Sequence, residues 1–174
     1  HLENAAMLAA VGLGNEATIL VVSPLPFAGT APVAIALSKV LARQRGNVLL
    51  VDGQVEGALL SRQAGLRDLP GLADLMAGEA LASVLTAPSG LDGLQIMSAG
   101  RETVDFPRPL APAAFDGVWR SIQSISPRLL IHGGPLIGSV EARMFAGQCD
   151  AVVLVLPWRE AVSYTHLTLP TKPS

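Results

Sequence analysis

Apolar runs of strand length alternate with helix-like patterns along most of the chain. Ala17 to Val22 (ATILVV) is an unbroken apolar run. Val48 to Val51 (VLLV, ending at Asp52), Arg128 to Ile131 (RLLI) and Ala151 to Leu156 (AVVLVL) repeat the theme, with Leu94 to Met97 as a weaker fifth. Continuous apolar character, without polar alternation, predicts strands buried on both faces. After the first run, Thr30 to Arg45 places Val33, Ala36, Leu37, Val40 and Leu41 at a 3.6-residue period, which predicts a helix. Thr30 is the expected N-cap, Pro32 suits the first turn, and Gly46 stops the helix. Further helices are expected over Leu2 to Val11, Leu72 to Ala77, Ala80 to Leu85, Leu110 to Ile125 and Ser139 to Gly147. The connections include a Pro/Gly-rich loop at Ser23 to Gly29 (SPLPFAG) and a turn at His132 to Pro135 (HGGP). Strands alternating with helices predict an α/β fold, a doubly wound and mostly parallel sheet with helices on both faces. Ligands bind such sheets at the C-terminal ends of the strands, so the segments that matter are 23–32, 52–57, 98–101 and 132–138.

Composition narrows the classes. Half of the 174 residues are apolar and 15% are charged, which predicts one folded domain with a substantial core rather than disorder. The net charge of -2 offers no basic field for nucleic acid. No apolar run reaches the ~20 residues of a membrane helix. The single Cys149 has no partner for an internal disulfide, which suits a reducing compartment. The chain begins at His1 rather than Met, so the native N-terminus is expected upstream. Val162 to Thr171 (VSYTHLTLPT) continues no pattern and resembles the in-frame translation of a sequencing-adapter end. The domain is therefore expected over 1–161, incomplete at both ends, with 162–174 a non-native read-through tail. Tyr164 and His166 lie in that tail and are set aside.

Strand, Gly-bearing loop and helix in succession is the arrangement that cradles phosphates. It works through backbone N–H groups, a Lys that neutralises charge and a Ser/Thr hydroxyl that holds Mg²⁺. Here Thr30 stands at the Lys position and Ala31 at the hydroxyl position, and Pro32 removes a backbone donor. By itself the loop fails the motif. A dinucleotide fingerprint is no better, because Gly12 and Gly14 precede the first strand instead of following it.

Five segments in order supply a resemblance that the loop alone does not. VVSPLPFAGTAPVA is similar to the Ser-Pro-Leu-Pro-Gly-Glu-Gly-Lys-Ser-Thr loop of the bacterial tyrosine kinases of capsule and exopolysaccharide synthesis, relatives of the MinD/ParA ATPases. VLLVDGQVEGALL, AGLRDLPGLADLMAGEA, LDGLQIMSAG and RLLIHGGPLIGSVEARMFAGQCDAVVLVL resemble that family's later segments. The resemblance implies a P-loop NTPase-like fold and, at Ser23, Pro26, Gly29, Thr30, Ala31, Asp52 and His132, a vestigial nucleotide site. Asp52 matches the acid that helps place Mg²⁺ and water, and is the one catalytic candidate if activity survives. Gln54 replaces a second acid, and His132 replaces the distal Asp. Read from the residues, Asp52 is expected to be a structural acid at a strand end and His132 a polar turn residue. No metal site is expected. Each charge-assisted contact is worth ~1.5–3 kcal/mol, so losing the Lys and the hydroxyl weakens ATP/Mg²⁺ binding by very roughly 10²–10⁴-fold. Phosphoryl transfer, which depends on positioning and charge, suffers more.

The resemblance thus implies a non-catalytic regulatory or scaffolding component of polysaccharide biosynthesis and chain-length control. It would be cytoplasmic and peripheral to the inner membrane through a membrane polysaccharide co-polymerase, with a homo-oligomer as a further assembly. Residues 2–13 lack the Arg residues that bridge subunits in that family, and its C-terminal Tyr cluster would lie beyond the truncation. Two alternatives stay open: an ATP-binding tyrosine kinase or ATPase with unconventional site residues, and a MinD/ParA-type positioning protein.

Overall fold

A computed structural model of the chain describes residues 16–88, 91–101 and 112–157. The expected helix at Leu2 to Val11 and the tail at 162–174 lie outside these residues. The elements run β1 (Ala17–Ser23), α1 (Thr30–Arg45), β2 (Val48–Asp52), α2 (Leu59–Gln63) and α3 (Leu72–Met76). A 3₁₀ turn (Leu81–Val84), β3 (Leu94–Met97), α4 (Pro112–Gln123), β4 (Arg128–Pro135), α5 (Val140–Ala146) and β5 (Ala151–Leu154) follow.

The five strands form one sheet in the order β3-β2-β4-β1-β5, and every pairing is parallel. β1 and β2 are buried along their whole length, as their unbroken apolar runs require. Alternate residues feed opposite faces. Ile19, Val21, Val48 and Leu50 pack with Ala31, Ala34, Leu37 and Leu41 of α1. Leu20, Val22, Leu49 and Val51 pack with Phe115, Trp119 and Ile122 of α4 and Phe145 of α5. The three aromatic rings meet at centroid distances of 5.2 to 6.1 Å, within the range of favourable ring contacts. Helices on both faces of a parallel sheet make the fold doubly wound, as the alternation of patterns implies. β5 departs from two-sided burial: Val152 and Leu154 are each 51% exposed, because among the described residues a helix covers this edge strand only on its other face.

Other departures have local causes. Gly29, not Thr30, is the N-cap of α1, and Thr30 is its first residue. The stretch expected as a helix over Ala80 to Leu85 is one 3₁₀ turn, too short for a continuous ladder. α2, which the sequence did not display, is a five-residue helix with no side-chain cap and no acidic residue in its first turn. The HGGP segment is not a turn. It continues β4 to Pro135, with a one-residue slip that pairs His132 with Val21 and Gly134 with Val22. Gly134 takes φ +67°, and a Cβ there would lie 2.7 Å from the Gln54 side chain, so glycine is required at this bulge.

Candidate functional site

The C-terminal ends of β1, β2 and β4 lie side by side, and they bring three of the expected site residues into one hydrogen-bonded chain. Asp52 ends β2 and is in register with His132 of β4. Both side chains are fully buried, with His132 Nδ1 3.0 Å from Asp52 Oδ1. The other ring nitrogen, Nε2, lies 3.0 Å from Thr30 Oγ1 at the start of α1. Thr30 is itself 0% exposed, and its hydroxyl also lies 3.0 Å from the Phe27 carbonyl. Ser61, on α2, closes the far end. Its N–H (2.8 Å) and Oγ–H (2.7 Å) both donate to Asp52 Oδ2, and Ser61 Oγ accepts from the Ala99 N–H at 2.8 Å. The Gln54 N–H adds a longer contact to Asp52 Oδ1 at 3.3 Å.

Asp52 as a carboxylate only accepts, so His132 Nδ1 carries the hydrogen between them. On the other side of the ring, Nε2 and the Phe27 carbonyl share the Thr30 hydroxyl, and that carbonyl also accepts from the Thr30 N–H at 3.4 Å. His132 is therefore neither a turn residue nor exposed; it is the middle member of a buried polar chain. Asp52 is a strand-end acid, as expected, but its partners come from β4 and α2 rather than from a local turn.

The remaining expected residues sit around this chain. Ser23 ends β1 and donates from Oγ to the Leu25 carbonyl at 2.7 Å, shaping the loop. Pro26 lines the wall of a cleft over the chain. Gly29 lies under the Phe27 ring so closely that a Cβ there would fall 2.3 Å from it. Ala31 is 0% exposed and its methyl belongs to the apolar core under α1. The cleft, of about 280 Å³, is lined by Phe27, Thr30, Gln54, Leu59, Arg62 and the Gly134–Pro135 end of β4. Arg62, Phe27 and Ser61 carry no motif that singles them out in the sequence. Only the spacing of Ser61 nine residues after Asp52, on a segment returning to the sheet edge, could have raised it.

Away from this site, Asp74 on α3 is fully buried and bound to Arg101, with Nε 2.6 Å from Oδ1. Cys149 is half-buried, and desolvation, with the nearby Asp150, pushes its thiol up to about 12, so it is protonated and unreactive. Among the described residues no group of three or more His, Cys, Asp or Glu is placed to hold a metal, and no helix is long and apolar enough to cross a membrane.

This geometry defines the fold class, a doubly wound α/β domain that is P-loop NTPase-like in its fold, with its candidate site at the strand ends between the loop of β1 and the tips of β2 and β4. The fold is shared with bacterial tyrosine-kinase domains and MinD/ParA ATPases. The VpsO kinase domain superposes with a TM-score of 0.74 at 21% identity, covering 88% of this chain and 78% of that one. The kinase domain of Escherichia coli tyrosine kinase ETK gives 0.67 at 16% identity, covering 87% and 60%. The septum site-determining protein MinD from Pyrococcus horikoshii, complexed with Mg-ADP, gives 0.64 at 24% identity, covering 80% and 57%. No protein-family model and no curated relative matches the sequence.

Proposed function

We propose that this chain is a degenerate, non-catalytic relative of the polysaccharide tyrosine kinases. In this reading it is a regulatory or scaffolding component of capsule or exopolysaccharide biosynthesis and chain-length control. It works at the inner membrane face through a membrane co-polymerase. One observation carries the loss of catalysis: the polar groups at the metal and phosphate positions bind each other. Both oxygens of Asp52 are engaged by His132 and Ser61, and the Thr30 hydroxyl by His132 and the Phe27 carbonyl. Neither a phosphate cation at position 30 nor a metal hydroxyl at position 31 is present. These residues do not fit a Mg²⁺-nucleotide held in the manner of a working P-loop, and no catalytic step is drawn through one.

Two rival readings have support. The cleft over Thr30 leaves room for a ligand, which favours an ATP-binding kinase or ATPase with unconventional residues. The MinD-like fold favours a positioning ATPase. Calorimetry of the full-length gene product with ATP and Mg²⁺ separates the readings. The expected affinity is weaker than about 100 µM. Micromolar affinity that disappears in Asp52→Ala overturns the non-catalytic reading.

A further inference from the structure

We propose that a second cleft, over Thr18 and Asp150 at the N-terminal end of the sheet, binds the ammonium group of a small aliphatic amine. It lies where β1, β4 and β5 begin, at the opposite end of the strands from the Thr30–His132–Asp52 chain. The proposal therefore goes beyond the non-catalytic reading and does not depend on it.

The backbone prepares this cleft. The Thr18 N–H donates to Asp150 Oδ2 at 2.8 Å, and the Asp150 N–H donates back to the Thr18 carbonyl at 2.9 Å. That exchange fixes the Asp150 carboxylate at the foot of β1 and leaves its second oxygen without a protein donor among the described residues. Thr18 is in register with Leu129 and two residues before Leu20, so its side chain points to the face that α4 covers. Thr18 is only 7% exposed, yet its hydroxyl has no hydrogen-bond partner among the described residues. A nearly buried hydroxyl left unpaired is unfavourable, and Thr18 lines a cleft of about 310 Å³ through which an outside donor can reach it.

The charge of the cleft points to a cation. Glu16 and Asp150 are its two ionisable lining residues, and among the described residues no basic side chain lines it. The bases nearest in the chain turn elsewhere: Arg128 donates from Nη1 to the Gly46 carbonyl, and Arg120 from Nε to the Asp116 carbonyl. A cleft lined by one sign of charge concentrates the opposite ion. An ammonium group brings three donors, enough for a carboxylate oxygen, the Thr18 hydroxyl and the Gln123 carboxamide oxygen. A hard divalent metal, which takes six or more oxygens, is poorly served by two carboxylates. Ala17, Pro127 and Leu129 supply an apolar wall against which a short methylene chain packs.

The test is titration of the full chain, followed by NMR of the Thr18 and Asp150 N–H signals. Propylamine at neutral pH carries the charge, the donors and a short chain. Tetramethylammonium carries the charge without donors, and propanol the chain and one donor without charge. Saturable shifts with propylamine are expected at about 1–10 mM, with the other two at least about 10-fold weaker. Thr18→Val keeps the shape and removes the hydroxyl, and should reduce propylamine to the level of tetramethylammonium. Asp150→Asn, an exposed position that can still accept from the Thr18 N–H, should weaken propylamine by about 10-fold. No saturable shift below ~50 mM overturns the proposal. So does equal affinity for tetramethylammonium, an affinity unchanged in Thr18→Val, or tighter binding of Ca²⁺ than of propylamine.

Discussion

Two fully buried carboxylates sit at the C-terminal side of the sheet, and they are held in different ways. Asp74 is served from nearby. It accepts from the Gly71 N–H three residues away (2.9 Å), and from the Arg101 N–H (3.0 Å) and Nε (2.6 Å) across the end of β3. Burial alone would raise its pKa, but the hydrogen bonds from Arg101 and Gly71 and the guanidinium charge outweigh burial and hold it below the usual 3.8. Asp52 has no Arg or Lys. Its partner His132 is 80 residues away, and the next member, Thr30, is 102 residues from His132. A carboxylate clamped by a short segment and a guanidinium ties a helix to a strand end. A carboxylate whose partners come from another strand and a separate helix ties the strand ends where ligands bind in sheets of this kind. The difference separates an acid clamped by a guanidinium from one held without a cation by partners from β4 and α2, in a chain where both are equally buried.

The sharpest way to break the comparison is at His132. Removing it leaves Asp52 without its ring partner and the Thr30 hydroxyl with the Phe27 carbonyl alone, around a void at a fully buried position. His132→Ala should lower unfolding free energy by about 3–5 kcal/mol, read from urea denaturation. A loss below about 1 kcal/mol would mean that Ser61 alone holds Asp52, and that the Thr30–His132–Asp52 chain is not a unit.

Asp74 should give a smaller effect with a distinct pH signature. Its folded-state pKa is depressed, so its stabilisation is present above the ordinary value of 3.8 and is lost as pH falls through the lower folded value. Asp74→Asn should lose about 1–3 kcal/mol at neutral pH. Its stability should fall less steeply than that of the parent chain from about pH 5 downwards. Parallel urea midpoints for both proteins across the acid range check this. An unchanged slope would show that Asp74 is not the acid-sensitive clamp.

The same contrast explains what was legible in the sequence. The strands were readable because two-sided burial leaves an unbroken apolar signature, and α1 because sixteen residues display a full period. α2 was not readable: it is as short as α3, but it lacks the first-turn acid that α3 has in Asp74 to mark a helix start. The extension of β4 through HGGP was hidden because two glycines and a proline read as a turn, whereas here they accommodate a bulge packed against Gln54. In the site, Thr30 at the helix start, Asp52 at a strand end and His132 in an expected turn were named by resemblance, and the fold brings them together. What sequence could not give was their engagement with one another. That depends on the parallel register of Asp52 with His132 and on Ser61 returning from a short helix.

The smallest expected effect is the most informative about the site's history. Thr30→Lys with Ala31→Ser restores the two missing motif groups, yet turnover should stay at background. The lysine enters a position that is 0% exposed and wedged beside His132, so it must reach outward past Phe27 to meet phosphate. The new serine hydroxyl lies in a helix's first turn, where it can bond back to the carbonyl four residues earlier, again that of Phe27. Some ATP binding should appear, since one cation and one hydroxyl are regained. Hydrolysis should not, because His132 offers Mg²⁺ no hard anionic oxygen and continues to occupy Asp52. Adding His132→Asp changes this. It sets two carboxylates beside each other at the ends of β2 and β4, in register, where their repulsion is relieved by binding a cation. Phosphoryl transfer needs that metal together with the positioned nucleophile. Phosphate-release assays should therefore read background for the double variant and measurable turnover for the triple variant. Full turnover in the double variant would show that His132 does not stand at the lost metal position, and would undo the family placement of the RLLIHGGP segment.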